Sequence, residues 1–260
     1  MVAMMSCVIA HADPAPIDAL HSPAFATLER YDASSRFGGE LSFLTPFPGE
    51  RADLHVQYVD PKTGMGAYAS LPFAYSAGRG GLAIGDAEVG GISAPHLRTD
   101  IFGLVFHAGI TVPIGSTSAA GAGTNLLASP SRLDDRYLAI PAATSLRGGI
   151  SALVRGGPLF GRADVGLDAN LSDEQPVSGT QRATGETAIR INAGAGIDLE
   201  YASVTAELAS FHAFGVKGWL DTVAVALRFK VRRVQPYAAV VFQAFDTTAG
   251  ALTIGIDASI

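Results

Sequence analysis

The sequence predicts an all-β protein: a closed antiparallel transmembrane β-barrel of about twelve strands, preceded by a periplasmic lead-in. Three observations predict it. First, Leu159 to Leu171 alternates without a break: Leu159, Gly161, Ala163, Val165, Leu167, Ala169 and Leu171 against Arg162, Asp164, Asp168 and Asn170. Side chains alternate faces along a strand, so this is one strand with an apolar and a charged face. It is longer than the roughly five or six residues usual in soluble sheets, and it suits a tilted strand crossing a bilayer, which takes ~9–11 residues. Second, hydrophobic residues make up 48% of the chain and charged ones 16%, yet no window holds 18 uninterrupted apolar residues. The 30 glycines are spread along the chain, which argues against helices. Third, the connections between predicted strands alternate between tight and long.

Taken in order, Val2 to Ala10 is a short apolar run that leads to Ala10-His11-Ala12, a small-x-small pattern. We read residues 1–12 as a signal-peptide remnant, cleaved after Ala12. The single Cys7 excludes an internal disulfide framework, and Met4-Met5-Ser6 before it is a poor lipid-attachment context. Residues 13–35 read as a periplasmic lead-in. Ser22-Pro23 would cap a short helix over Ala24 to Tyr31 near the barrel mouth; an extended tail is the alternative.

The barrel then occupies 36–260. Strands are expected at about 36–45, 52–60, 64–76, 84–93, 100–114, 144–156, 159–172, 186–201, 203–213, 218–232, 234–246 and 250–260. The eighth sets Ile189, Ile191, Ala193, Ala195, Ile197, Leu199 and Tyr201 against Arg190, Asn192, Asp198 and Glu200. The tenth sets Val223, Val225, Leu227, Phe229 and Val231 against Thr222, Arg228 and Lys230. One set of connections is tight, among them Asp60-Pro61-Lys62-Thr63, Gly156-Gly157-Pro158 and Arg233. The other set includes both long segments, 115–143 and 173–185, rich in Ser, Thr, Gly, Asn and Asp and therefore expected to be solvated. Short turns on one side and long loops on the other are the asymmetry of outer-membrane barrels, with the long loops extracellular. An even strand number puts both termini on the short-turn, periplasmic side.

The last strand carries Leu252, Ile254, Ile256, Ala258 and Ile260 on one face. Thr253, Gly255, Ala258 and Ile260 fill the slots of a pattern that resembles the C-terminal signal of bacterial outer-membrane barrels, with Ile in place of the usual terminal Phe. That resemblance implies handling by the barrel-assembly machinery through Thr253 to Ile260. Gly85-Asp86-Ala87-Glu88-Val89-Gly90, followed by Val112-Pro113-Ile114-Gly115, resembles a group of outer-membrane transporters labelled as phenol-degradation meta-pathway barrel proteins. The resemblance implies passage of small, hydrophobic or aromatic molecules, and it brings no catalytic residues.

In lipid the apolar faces point outward, because a mid-membrane Arg on the lipid face costs ~2–4 kcal/mol. The lumen then collects Glu40, Asp86, Glu88, His107, Arg147, Arg155, Arg162, Asp164, Asp168, Arg190, Asp198, Glu207, Arg228 and Lys230, together with His55, Gln243 and Asp257. Two readings fit this mixed set: a salt-bridge lattice that fixes strand register, or a permeation path that steers polar solutes. A gap beside the small residues Gly194, Gly196, Ala224 and Ala226 would reconcile them. Catalysis has one conceivable pair, Ser210-x-His212, with no fixed-spacing motif behind it. No His/Cys/Asp group has metal-ligand spacing, no phosphate-binding glycine loop sits between a strand and a helix, and no cofactor is expected. A net charge of −6 offers no field for nucleic acid. The expected partners are outer-membrane lipid and a small-molecule solute, and the expected function is a channel or diffusion-type transporter. A closed structural or adhesive barrel acting through loops 115–143 and 173–185 is the second reading; a lipid-modifying enzyme is the third.

Overall fold

The computed structural model describes residues 25–28, 30–46, 49–76, 81–94, 101–118, 120, 121, 124, 129–139, 143–171, 187–231, 233–244 and 246–260. The expected signal segment 1–12, the first half of the lead-in and the loop 173–185 lie outside them. Thirteen strands form one antiparallel sheet: β1 (Arg36–Thr45), β2 (Glu50–Val59), β3 (Met65–Ser76), β4 (Gly81–Ile84), β5 (Ala87–Ser93), β6 (Phe102–Val112), β7 (Ser145–Gly156), β8 (Leu159–Asn170), β9 (Thr187–Asp198), β10 (Ala202–Ala213), β11 (Leu220–Phe229), β12 (Val234–Gln243) and β13 (Asp246–Ser259). β1 pairs with β13 from Arg36↔Ser259 to Thr45↔Gly250, and β2 with β3, so the sheet closes on itself. Closure pairs the wall strands on both sides, apart from the short β4, which pairs with β3 alone, and such closure is the condition for strands to cross a bilayer.

The wall has twelve staves, because β4 and β5 are two parts of one. Both pair with β3, in registers that differ by one residue: Phe73↔Ile84 on one side and Ser70↔Glu88 on the other. Residues 85–87 thus stand opposite only Leu71 and Pro72. Pro72 has no N–H to donate to the ladder, and its carbonyl accepts from Gly85 N at 2.9 Å. The strand expected at 84–93 is thus broken at Gly85-Asp86, opposite the proline, and it extends back to Gly81 through pairing with Phe73 to Ser76.

The outward face is a continuous apolar belt. Leu41, Val56, Ile110, Ile150, Val165, Ile191, Leu208, Val225, Val240 and Ile254, one from each of ten strands, are all exposed. Tyr58 and Tyr201 flank this belt toward the short-turn end, and Tyr75, Phe214 and Trp219 toward the other, an arrangement of interfacial aromatic girdles. The turns on the first end are short. Residues 157–158 close the tightest, with Gly157 at φ +59° taking the left-handed conformation that such a turn needs.

Two segments outside the wall occupy its interior. Residues 25–28 and 30–35 contain no helical turn, and Phe25, Ala26, Thr27, Leu28, Arg30, Tyr31 and Asp32 are all buried. This half of the lead-in, expected as a helix or tail at the barrel mouth, instead runs inside the barrel. The second segment, Ser129–Ala139, is a kinked 3-10 stretch in the long connection between β6 and β7. Its Arg132, Leu133, Asp135 and Leu138 are buried, so this part of the loop expected to be solvated folds inward. The reason is the same in both cases. Their charges find opposite charges on the barrel wall, and water cannot offer those pairs in a closed lumen.

Candidate functional site

The two inner segments meet the wall around one carboxylate. Asp135 Oδ2 accepts from Arg132 Nε at 2.5 Å and from Arg30 Nη1 at 3.0 Å, with Arg51 Nη2 at 3.9 Å; its Oδ1 accepts from Arg147 Nη1 at 3.5 Å. Burial alone would push this carboxyl up. The summed field of Arg132, Arg30, Arg147 and Arg51 outweighs burial and holds it well below the usual carboxylate range. Arg30 also donates to Glu40 Oε1 at 2.9 Å, and Glu40 Oε2 takes the Tyr237 hydroxyl at 2.6 Å. Arg51 lies across Asp53, with contacts of 2.7 and 2.8 Å.

The residues expected to face inward from sequence fall into three groups. Glu40, Glu88, Arg147, Asp168 and Arg190 join the central network. Arg147 donates to Glu88 and, at 3.2 Å, to its cross-strand partner Asp168, whose other oxygen lies 2.9 Å from Arg190. Arg162, Asp164, His107, Glu207, Arg228 and Asp257 are buried around it. Arg162 donates to Asp164 at 2.6 Å; Asp257 accepts from Arg228 at 2.5 Å and lies 2.9 Å from His55 Nε2. The Arg228 guanidinium also lies over the Tyr237 ring, 4.3 Å from its centroid.

The third group is not central. Arg155, Asp198 and Lys230 form a separate cluster at the short-turn rim, with the Lys230 side chain 31% exposed. Asp86 sits in the strand break. Its carboxylate accepts from Gly115 N at 2.7 Å and Ala143 N at 3.0 Å, so it ties down both stems of the long loop.

Arg51 and Asp53 escaped the sequence reading although the signal was present, since they alternate with Ala52, Leu54 and Val56 as Glu40 does with its neighbours. Arg30, Arg132 and Asp135 carried no such signal, because they lie on segments without strand periodicity.

The N-terminal segment is held by main-chain contacts and two aromatic anchors. Glu207 on β10 accepts from Ala26 N at 2.9 Å, Thr27 N at 2.6 Å and Thr27 Oγ1 at 2.7 Å. Arg132 donates to the carbonyls of Ala26 (2.5 Å) and Leu28 (2.9 Å), and Arg162 to that of Tyr31 (2.9 Å). Arg36 donates to the carbonyl of Arg30. The Phe25 ring packs with Leu28, Phe160 and Ala209, its centroid 5.5 Å from that of Phe160. The Tyr31 ring lies 3.8 Å from Tyr68 and 4.9 Å from His107, among Val59, Ile92, Val105 and Leu153. Burying a ring or a leucine of this kind is worth about 1.5–3 kcal/mol.

The wall beside Gly194, Gly196, Ala224 and Ala226, expected to leave a gap, is filled. A Cβ at Gly194 would meet Phe25 Cε1 at 2.6 Å and Leu28 Cδ1 at 2.8 Å, and one at Gly196 would meet Phe160 Cζ at 2.4 Å. Ala226 packs with Ala26, Tyr237 and Ala239, and Ala224 with Val241 and Ala251. Small residues here admit the inner segment.

Ser210 and His212 lie near the far end of β10. His212 Nδ1 is 2.7 Å from Gly218 O, and its ring stacks on Trp219 with centroids 5.0 Å apart. The histidine is thus engaged with the β10–β11 hairpin and not with Ser210.

No family model matches the chain, and no curated protein matches it in sequence. Solved structures do match in shape. A KdgM porin superposes with a TM-score of 0.57 at 10% identity, covering 86% of this chain and 99% of the porin. The NanC porin gives 0.60 at 11%, covering 86% and 100%. An outer membrane channel from Pseudomonas putida gives 0.61 at 10%, covering 92% and 99%. At such identities the likeness concerns the fold, which is a closed transmembrane β-barrel of the bacterial outer-membrane type.

Proposed function

We propose that this protein is an outer-membrane channel for small solutes whose lumen is closed by its own N-terminal segment and by the inner turn of its longest loop. The observation that supports this most directly is the division of labour inside the barrel. The centre is filled by two segments that contribute no strand to the wall, so they can leave without breaking a single strand pair. Behind them the wall presents Arg51, Asp53, Glu88, Arg147, Asp168 and Arg190, a mixed-sign surface of the sort that lines aqueous paths. The bays that hold the Phe25 and Tyr31 rings are apolar and each accommodates an aromatic ring, which fits a small aromatic solute. The C-terminal strand Thr253 to Ile260 would serve as the recognition element for barrel assembly.

Planar-bilayer recording of the full chain, beside an Arg30→Ala variant, tests this reading. Arg30→Ala removes the cation between Glu40 and Asp135, and it should raise the frequency of open events and the rate of solute influx into liposomes. If both proteins are silent in both assays, the channel reading is lost. The barrel is then a closed structural element acting through its outer loops.

A further inference from the structure

We propose that the barrel interior is a binding site for a short peptide, read through its main chain, and that residues 25–28, 30 and 31 are its resident, exchangeable occupant. The contacts that hold this segment are mostly to groups every peptide has. Glu207 takes two consecutive N–H groups, those of Ala26 and Thr27. Three guanidinium groups, from Arg132, Arg36 and Arg162, take the carbonyls of Ala26, Leu28, Arg30 and Tyr31. An anionic acceptor against N–H groups and cationic donors against carbonyls form charge-assisted bonds, roughly twice as strong as neutral ones. Side chains are read at few points. One ring enters the bay of Phe160 and Ala209, a second enters the bay of Tyr68, Ile92, Val105 and Leu153, and a hydroxyl at position 27 meets Glu207. The first bay exists because positions 194 and 196 lack a Cβ. This combination defines the ligand chemistry as an oligopeptide bent as at Ala26 to Leu28, with aromatic side chains six positions apart. It concerns the same lumen as the channel reading but does not require conduction, so each can fail alone.

The natural segment is tethered to β1 and competes at high effective concentration. A free peptide should therefore bind only when the tethered copy is weakened. Thr27→Pro removes one N–H and the hydroxyl given to Glu207, Arg30→Ala removes the central cation, and neither alters the wall. The probe is a fluorescein-labelled peptide with the sequence of residues 24–35, followed by anisotropy on the full chain in detergent. Heat-modifiable gel mobility establishes that each barrel is folded.

The double variant should bind the peptide at least about tenfold more tightly than the wild-type chain does. Adding Glu207→Gln to it should weaken binding by about tenfold. A peptide N-methylated at the residues matching Ala26 and Thr27 should not bind. Absence of binding to a folded double variant, indifference to Glu207→Gln, or equal binding of the methylated peptide overturns the proposal. Should the double variant not fold, amide exchange on the wild-type chain decides. The Ala26 and Thr27 amides should exchange at least about a hundredfold more slowly than in the free peptide; exchange at the free-peptide rate overturns the site.

Discussion

Guanidinium groups from four different segments converge on the Asp135 carboxylate: Arg30 from the N-terminal segment, Arg51 from β2, Arg132 from the inner turn and Arg147 from β7. Asp135→Asn would leave these cations buried without their shared counter-charge. Removing one partner from such a buried arrangement costs about 3–5 kcal/mol. The variant should lose its inner turn to trypsin, which in the wild-type chain meets an Arg132 only 1% exposed. The acid dependence has a definite sign. The folded carboxyl titrates well below the usual range, so its contribution is fully present above the unfolded value of about 3.9 and is lost only as pH falls below it toward the lowered value. Exchange protection of residues 131–139, corrected for intrinsic rates, should thus hold steady from pH 7 to about pH 4 and collapse below.

Among the elements, the fourth stave does the least conventional work. Its break at Gly85-Asp86 frees the Asp86 carboxylate from the wall's alternation and aims it at the stems of the long loop. Asp86→Ala would leave two main-chain N–H groups, of Gly115 and Ala143, without an acceptor, at about 1–3 kcal/mol each. We expect the folded band to convert to the unfolded one at a lower temperature in a heat-modifiability series, with the strands themselves intact at room temperature. The staves were legible because lipid outside and charge inside write a period of two, as in Leu159 to Asn170, where the expected and observed strands coincide to within two residues. The break was not, since Pro72 and Gly85 stand thirteen residues apart in the sequence and mean something only once β3 and β4 are paired. Nor were the inner segments. Phe25 to Tyr31 and Arg132 to Asp135 hold polar and apolar residues without strand or helix period, and their partners lie far along the chain, as Glu207 does from Thr27.

For the molecule as a whole, the lumen's contents and its wall are separately addressable. Gly194→Leu places a side chain where Phe25 and Leu28 now sit, a Cβ alone meeting them at 2.6 and 2.8 Å, while the outward face of β9 is untouched. The variant should keep its heat-modifiable mobility and gain conductance in planar bilayers; a folded but silent Gly194→Leu barrel would show that the segment is not what blocks the path. Glu40 carries a last consequence. It belongs to β1, ten residues after the Arg30 it binds, and it also takes the Tyr237 hydroxyl from β12, on the other side of the seam where first and last strands join. So short a reach lets the first strand seize its own leader before any later strand is laid down. The staves can then be assembled around an occupied centre, as a cask is raised around a mandrel.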